Sequence, residues 1–517
     1  MNQYIRQAQY KKGFSQFILI IIVGVAVIMA GGSTWYYQQL IEQNKPASGT
    51  QVTPESSSGE TPSTPSEGAN QNAVQKTPAS TQTIIPTKQT PAQTDVAPSA
   101  PSTPNISCTS PTDTARMDIF DSHVHMSSTV DAPRMILEMN KAGTSVANLY
   151  SDTSHTLEAI SQYPGRFITF LDTPESTGPS NWLTQGQAFV ASAESQLKTG
   201  KFYGIGETNL RLSDKNGNVS TPDVYVVPDT PLWLQLVDLS ARYHVPISFH
   251  FVPEDTVANA AFERMLNHNK EATLIWAHLG FNQMTLNSAT LSDYLLRYPH
   301  LYFDTAGIQN MQKPLPLVGS NWARLADQSN NGKLNGEWKR FFETWNSRIL
   351  FGTDAGGGGD SLERWLNYSS DTSEGTAPDA IGHWKSLLSY LDSNSAHNIL
   401  SANSRELFLK EKKPAYNYSV SSDGKCYSIS ISSDSSVSAL TFNPITRVVT
   451  FTAADSNGTT GKAVVTIPTA LAGKNFTAAV DGKSVKSQST SNSTNITVNL
   501  EYAGGIRSIT LSAPSTP

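Results

Sequence analysis

Residues 117–125 read MDIFDSHVH, a short apolar run that ends in Asp121, His123 and His125. The run predicts a buried β-strand. Because residues two apart on a strand point to the same face, His123 and His125 would project together from its carboxyl end. Two imidazoles placed in this way can bind one divalent ion. An isolated H-x-H pair is a weak indication by itself, so the interpretation depends on the segments that follow.

Similar apolar runs recur along the chain, and several end in a residue that can bind a metal. The candidate strands are residues 117–120, 145–150, 166–171, 202–206, 246–250, 273–277, 301–305 and 348–352. Eight strands, each followed by a helical pattern or a long loop, over about 295 residues predict an α/β fold, a (β/α)8 TIM barrel. A doubly wound open sheet is the weaker alternative, because no glycine-rich phosphate motif follows the first strand.

The carboxyl ends of the strands would bring the ligand-type residues to one mouth of the barrel, where active sites of this fold lie. The predicted metal ligands are His123, His125, Glu207, His250, His278 and Asp354. Histidine and carboxylate without thiolate suit zinc, manganese, iron or nickel, and we expect zinc. A structural zinc site closes with four ligands, so six candidates favour an open catalytic site holding one or two ions.

Other polar residues near the strand ends are left with alternatives. Asp304 either points into the mouth or caps the next element, and Asn209 and Arg211 are candidates for substrate contact. We expect His155 at the surface rather than in the pocket. The histidines in connections and at helix ends are expected to be exposed; they are His244, His268 and His300.

The N-terminal region predicts a membrane anchor and a linker. Residues 14–30 carry no charge and approach the ~20 residues that span a bilayer. Arg6, Lys11 and Lys12 precede this run, which predicts a single-pass helix within residues 1–44, with the N-terminus cytoplasmic and the catalytic domain extracytoplasmic. A cleaved signal peptide and a prepilin-type leader are alternatives. Residues 45–115 are rich in Pro, Ser and Thr and predict a disordered linker.

The C-terminal region, residues 413–517, alternates apolar and polar residues with a period of two. Seven short predicted strands favour a small all-β, immunoglobulin-like sandwich without chemistry of its own, in possible contact with the cell envelope. The barrel is assigned to residues 116–412. The two cysteines, Cys108 and Cys426, exclude a disulfide framework and leave either one bridge or two thiols. A net charge of -6 argues against a nucleic-acid partner.

The ordered motifs resemble those of the metal-dependent amidohydrolase superfamily, and in particular the branch called amidohydrolase 2. The similar motifs, within residues 117–412, are D-x-H-x-H, G-I-G-E, I-W-A-H-L-G, L-Y-F-D-T, R-I-L-F-G-T-D and the closing AHNILSANSRELF. The resemblance implies metal binding by His123, His125, His250 and Asp354, with His278 as a second-metal ligand or a carbonyl polariser. Related binuclear proteins carry a bridging carbamylated lysine or glutamate on strand four. Glu207 therefore implies a glutamate-bridged pair of ions, or else a single ion that Glu207 does not bind directly, with Glu207 contacting the residues that do.

Together these features predict a membrane-anchored, extracytoplasmic, metal-dependent hydrolase that acts on an amide, lactone or ester bond of a small-molecule substrate. Asp354 would move the proton of the attacking water, and His278 or the metal would stabilise charge on the carbonyl oxygen. Glu207 is the third catalytic candidate. The alternatives are a metal-dependent decarboxylase or lyase of the same branch, a non-catalytic cell-surface scaffold and, through the similar G-x-G-E motif, a nuclease like the TatD enzymes.

Overall fold

The protein is known from a computed structural model, which describes twelve parts of the chain: residues 108, 111–126, 132–150, 153–174, 181–210, 226–252, 256–280, 287–307, 325–327, 333–355, 380–472 and 475–513. The predicted anchor, residues 1–44, lies outside the described residues, as does most of the predicted linker. Within the described parts, no helix has the length and apolar character needed to cross a membrane.

Eight parallel strands in the described part of the chain form a closed ring. They are β1 (Ile119–His125), β2 (Thr144–Tyr150), β3 (Phe167–Thr169), β4 (Ile205–Asn209), β5 (Ile247–His250), β6 (Leu274–Trp276), β7 (Leu301–Asp304) and β8 (Ile349–Leu350). Strands β1 to β3 pair in sequence order, and so do β4 to β8. Parallel bridges from Leu171 to Ile205 and from Val124 to Ala355 join the two arcs. The predicted barrel is therefore confirmed.

A helix follows each barrel strand. The helices are α1 (Ala132–Ala142), α2 (Thr153–Gln162), α3 (Asn181–Leu197), α4 (Pro231–Tyr243), α5 (Thr256–His268), α6 (Ser288–Arg297), α7 (Gly336–Thr344) and α8 (Ala380–Leu388). Helix α4 shows how the sequence specifies such a helix. Pro231 favours its first turn, and Trp233, Leu236 and Val237 form one apolar face that is fully buried. Two further helices, α9 (Ser393–His397) and α10 (Asn403–Leu409), continue through a π-helical turn at Asn398–Ala402.

Strands β1 and β4 extend beyond the apolar runs at residues 117–120 and 202–206. Strand β1 continues through Asp121 to His125 because the Asp121 carboxylate accepts hydrogen bonds from the Thr353 amide at 3.0 Å and the Thr353 hydroxyl at 2.7 Å. Those bonds satisfy a charged group that is completely buried. The carboxyl ends of β1 and β8 are consequently fastened to each other.

The C-terminal domain departs from the predicted set of seven short strands. Its strands are β9 (Tyr416–Ser422), β10 (Lys425–Ser433), β11 (Ser436–Asn443), β12 (Val448–Pro468), β13 (Thr477–Val480), β14 (Lys483–Val485), β15 (Ser487–Ser491) and β16 (Asn495–Ser512). Strands β12 and β16 each run through both halves of the domain and pair with each other, with a register shift between Asp455 and Thr460. The buried apolar side chains of these strands form one cluster. The prediction of separate strands around residues 454–461 was wrong, because one strand continues through this turn-like stretch and pairs with β16 on both sides of it.

Polar contacts join the barrel and the C-terminal domain at the amino-terminal end of β8, the end opposite the mouth. The Asn346 side chain donates to the Val437 carbonyl at 3.0 Å and accepts from the Tyr416 hydroxyl at 3.1 Å. The hydroxyls of Ser347 and Ser436 lie 2.6 Å apart. These groups are buried, so the interface excludes water around hydrogen bonds that are satisfied.

A disulfide joins Cys108 to Cys426, 318 residues further along the chain. The sequence had left the two thiols either paired or free. Cys426 lies on β10, so residue 108 is bonded to the C-terminal domain. Shortly afterwards the Thr112 hydroxyl donates to the Leu391 carbonyl and the Thr114 hydroxyl to the Lys385 carbonyl. The chain is therefore held at several points before it enters β1.

One histidine prediction was wrong. His244 and His268 are exposed as expected, but His300 is only 7% exposed. It immediately precedes β7, with its ring 6.2 Å from that of Tyr298. Burial, reinforced by the positive charge of Arg348, lowers the pKa of His300 to about 4. Its neutral ring is thus part of the packing at the amino-terminal end of the barrel.

Candidate metal centre

The structure brings all six predicted ligands to the carboxyl ends of the barrel strands. His123 and His125 lie on β1, Glu207 on β4, and His250 is the last residue of β5. His278 lies in a short 3₁₀ turn, Ala277–Leu279, directly after β6, and Asp354 follows β8. The common placement follows from the topology, since parallel strands of a barrel all end at the same mouth.

Glu207 lies at the centre of the cluster, and one of its oxygens faces β1 and β8. Its Oε2 atom lies 3.3 Å from Nε2 of His123 and 3.3 Å from Nε2 of His125. Oδ1 of Asp354 completes this group, 3.4 Å from Nε2 of His125 and 3.7 Å from Nε2 of His123. We call His123, His125, Asp354 and the Oε2 side of Glu207 the first group.

The other oxygen of Glu207 faces β5 and β6. Its Oε1 atom lies 3.1 Å from Nε2 of His278 and 3.9 Å from Nδ1 of His250. The rings of His250 and His278 meet edge to face, with centroids 4.7 Å apart. We call His250, His278 and the Oε1 side of Glu207 the second group. The resemblance had grouped His250 with His123, His125 and Asp354, whereas the structure places it with His278.

The distances fit coordination of divalent ions. Ligand atoms bound to one ion at about 2.0–2.1 Å lie roughly 2.8–3.5 Å apart in octahedral or tetrahedral geometry. Most of the separations in the first group fall in this range, including the 3.1 Å between the Nε2 atoms of His123 and His125. Within each trio His123–His125–Glu207 and Glu207–His250–His278, one ligand atom per residue lies within 4.8 Å of the others. The donor set can therefore hold one ion in each group.

Hydrogen bonds outside the cluster orient two of the imidazoles. Nδ1 of His123 lies 2.9 Å from Oδ2 of Asp304, and Nδ1 of His278 lies 3.0 Å from the carbonyl oxygen of Ala306. Because a carboxylate and a carbonyl can only accept, each Nδ1 carries the proton. Nε2 of each ring faces Glu207, and once it has lost its proton it can offer a lone pair there, as metal-binding histidines require.

His278 and Asp354 have left-handed backbones, with φ of 61° and 58°. Such a conformation in a residue other than glycine costs on the order of 1–3 kcal/mol and persists only where the surroundings enforce it. The His278 amide donates to Oδ1 of Asp304 at 2.8 Å, and the Asp354 amide donates to the His123 carbonyl at 2.9 Å. Two of the nine left-handed non-glycine residues in the described part of the chain thus direct side chains into the centre.

The first group is strongly polarised. Burial by itself lowers the pKa of His123, but the charges of Glu207 and Asp304 outweigh it and hold that pKa well above its ordinary value. Burial likewise acts to lower the pKa of His125, and hydrogen bonds to Asp354 and Glu207 raise it to about 9. A cation must therefore displace protons from these imidazoles when it binds.

The Glu207 carboxylate and the His250 ring behave differently. Burial acts to raise the pKa of Glu207, yet the charge of His123 and hydrogen bonds from the histidines keep it well below its ordinary value. Burial, together with the charge of His278, lowers the pKa of His250 to about 3. Glu207 is consequently ionised and His250 neutral near pH 7, which are the forms that bind metals.

Two supporting residues escaped the sequence prediction or were left open by it. Asp304 points into the barrel, contacts His123 and the His278 amide, and is only 1% exposed. Tyr150, at the end of β2, packs its ring 4.7 Å from that of His123 and is also buried. An aromatic residue at a strand end is ordinary barrel packing, so no sequence pattern singled out Tyr150. Arg211 lies outside the described residues, while Asn209 pairs with His250 across β4 and β5.

No family model and no curated protein matches this sequence. Among solved structures, it is similar to a probable 2-pyrone-4,6-dicarboxylic acid hydrolase from Acinetobacter baumannii, at 16% identity and TM-score 0.36, covering 56% of this chain and 99% of the other. It is also similar to a 2,6-dihydroxybenzoate decarboxylase, at 12% and TM-score 0.33, and to amidohydrolase 2 from Bifidobacterium longum subsp. infantis, at 11% and TM-score 0.29, each covering 57% of this chain and 99% of the other. Likenesses this distant carry no argument about activity.

Fold and site define the class of this protein: a (β/α)8 barrel with a buried histidine–carboxylate centre suited to divalent cations. Within that class its ordered motifs resemble those of the metal-dependent amidohydrolase superfamily.

Proposed function

We propose that this protein is a metal-dependent hydrolase in which His123, His125, Asp354 and Glu207 would hold one divalent ion and Glu207, His250 and His278 would hold a second. The observation that carries the proposal is the position of the Glu207 carboxylate, whose two oxygens each face a different pair of histidines. A single ion bound by His123, His125, His250 and Asp354 is disfavoured. His250 contacts Oε1 of Glu207, whereas His123 and His125 contact Oε2.

A divalent ion bound in this centre would supply Lewis-acid chemistry, activating water at neutral pH and polarising a carbonyl group. Asp354 supplies the base. Its side chain is 20% exposed, whereas that of Glu207 is 6% exposed, so Asp354 borders the mouth. Burial acts to raise the pKa of Asp354, but the hydrogen bond from His125 and the nearby imidazoles lower it. An ionised carboxylate at this position can orient a water molecule, accept its proton and return the proton to a leaving group.

The substrate class proposed is a small molecule with an amide, lactone or ester bond, and zinc is the metal proposed. In this fold the loops after the strands determine which substrate enters. Several of those loops lie outside the described residues, including 175–180, 211–225, 308–324 and 356–379. The proposal therefore rests on the chemistry of the centre and on the resemblance, and it names a reaction type rather than a particular compound.

An extracytoplasmic location is also part of the proposal. The Cys108–Cys426 disulfide supports it, because structural disulfides persist mainly in oxidising compartments. The uncharged run at residues 14–30 supports a membrane anchor on sequence grounds. Protease treatment of intact cells, with detection of residues 116–517 before and after lysis, tests this location. Protection of the barrel in intact cells and digestion only after lysis would contradict it.

The reaction is tested on the purified protein. We expect elemental analysis to find two equivalents of a divalent metal, and a panel of amides, lactones and esters to reveal an activity that chelation abolishes and metal restores. Turnover in ¹⁸O-labelled water should then place one labelled oxygen in the product. Stoichiometric release of carbon dioxide from a carboxylate substrate without ¹⁸O incorporation would identify a decarboxylase instead. Absence of bound metal after loading would refute the proposal altogether.

A further inference from the structure

Asp304, the last residue of β7, contacts one residue of the first group and one of the second, in each case through an atom other than the proposed ligand atom. Its Oδ2 atom lies 2.9 Å from Nδ1 of His123, which belongs to the first group. Its Oδ1 atom accepts hydrogen bonds from the amides of His278, at 2.8 Å, and Ala306, at 3.0 Å. The residue is 1% exposed, so no bulk water competes for these contacts.

The contact with His123 determines which ring nitrogen is free to bind a metal. An ionised carboxylate offers no proton, so the hydrogen in this contact comes from Nδ1 of the imidazole. A neutral His123 ring with its proton on Nδ1 has its lone pair on Nε2, the atom that faces Glu207 and His125. The opposite tautomer would direct an N–H at those neighbours and could not bind a metal there.

The contact with His278 acts on the backbone rather than on the ring. His278 adopts a left-handed conformation, with φ of 61°, which this residue type rarely adopts unaided. The hydrogen bond from its amide to Oδ1 of Asp304 holds that conformation. From there the side chain reaches Oε1 of Glu207, at 3.1 Å, while its Nδ1 donates to the Ala306 carbonyl.

We infer that Asp304 is a positioning residue for the metal centre, which fixes His123 in its metal-binding tautomer and holds the backbone that carries His278. The inference rests on the proposed function, because it assigns Asp304 a task only if the six residues bind metal. One buried carboxylate on β7 thus positions one ligand on β1 and another in the turn after β6. Hydrogen bonds from outer carboxylates to metal-binding histidines commonly change metal affinity about 10–100-fold.

The variant that separates the two tasks is Asp304→Asn, which keeps the shape but replaces one oxygen with an NH₂ group. If the amide oxygen stays on the two backbone amides, the NH₂ group faces Nδ1 of His123. Nδ1 must then lose its proton, which moves to Nε2 and blocks metal binding. If the new side chain is flipped by 180°, its NH₂ group faces the backbone N–H groups of His278 and Ala306 instead. Either orientation damages one group.

We expect Asp304→Asn to bind cobalt(II) or zinc about 10–100-fold more weakly at one of the two sites. The cobalt(II) absorption spectrum should change at that site, because a nitrogen ligand is lost or displaced. The matched control is Asp118→Asn, the same chemical change in an aspartate that pairs with Arg405 near the start of β1. The control should bind both ions with unchanged affinity and an unchanged spectrum.

A measurement on the wild-type protein covers the case in which Asp304→Asn does not fold. Zinc-loaded protein labelled with [¹⁵N]histidine should show His123 with a proton on Nδ1 and none on Nε2. An Asp304→Asn protein with unchanged metal affinities and cobalt spectrum would overturn the inference while leaving the proposed function intact, whereas a proton on Nε2 of His123 would remove that ring from the ligands and overturn both the inference and the proposed ligand set. A wild-type protein that binds no metal would instead refute the proposed function.

Discussion

The bridging position of Glu207 gives a sharp prediction for the Glu207→Gln variant. The carboxylate serves two groups at once, with Oε2 lying 3.3 Å from Nε2 of His123 and of His125, and Oε1 lying 3.1 Å from Nε2 of His278. Glutamine has almost the same shape but only one oxygen, and it carries no charge. It can therefore serve one group as a weak ligand and presents an NH₂ group to the other.

The two groups should respond unequally. Without Glu207 the first group still has His123, His125 and the Asp354 carboxylate, whereas the second group has only the imidazoles of His250 and His278. We therefore expect the ion in the second group to be lost first. Its binding should weaken more than about 100-fold, which corresponds to about 2.8 kcal/mol at 1.4 kcal/mol per tenfold. Metal content should fall from two equivalents to one.

The assay is competition with a chromogenic chelator, together with elemental analysis after gel filtration. Glu138→Gln is the matched control, because Glu138 is also a buried glutamate, at 6% exposed, but it pairs with Lys141 on α1. That control should bind two ions like the wild type. Retention of two equivalents by Glu207→Gln, with both dissociation constants unchanged, would refute the bridging role. Loss of both ions together would refute the unequal dependence of the two groups.

Three further changes probe other parts of the molecule. Asp354→Asn should lower kcat on an identified substrate by about 10²–10⁴-fold while the unfolding temperature stays within a few degrees, and full activity of the metal-loaded variant would exclude the proposed base. His300 has a folded pKa of about 4, below the ordinary 6.5, so the unfolded state takes up its proton first as the pH falls and stability is lost from about pH 6.5 down to 4. Between about pH 7.5 and 5 the wild type should therefore lose roughly 2 kcal/mol more unfolding free energy than His300→Gln in chemical denaturation, and equal losses would show that His300 does not contribute. Cys426→Ser should lower the unfolding free energy by about 2–5 kcal/mol with the barrel intact, and an unchanged denaturation midpoint would mean that the disulfide adds no stability.

The six candidate ligands could be predicted from sequence because their placement is a property of topology. Each follows or ends an apolar run, and parallel strands of a barrel necessarily end at one mouth. The task of Asp304 could not be predicted in the same way. It depends on the side-chain contact with His123, 181 residues earlier in the chain. No local pattern near residues 301–305 distinguishes a carboxylate that orients another strand's imidazole from one that caps a helix.

The remaining differences arise where long-range pairing overrides local patterns. The stretch around Asn457 and Gly458 has the composition of a turn, yet it continues β12 because β16 pairs with it on both sides of the register shift. His300 appeared exposed because it is polar and lies in a connection. It is buried because Tyr298 packs against it and the neighbouring Arg348 guanidinium donates to the Leu301 and Tyr298 carbonyls. The pairing with β16 and the hydrogen bonds of Arg348 both come from residues that are distant in sequence.

The disulfide determines how mechanical force enters the molecule. Tension applied to the chain ahead of Cys108 passes through the sulfur atoms to β10 of the C-terminal domain. The short segment from residue 111 to β1 is then relieved of that tension, and β1, which carries His123 and His125, is not peeled from the barrel. Reduction of the disulfide would direct the same pull to the Thr112 and Thr114 hydrogen bonds and then to β1.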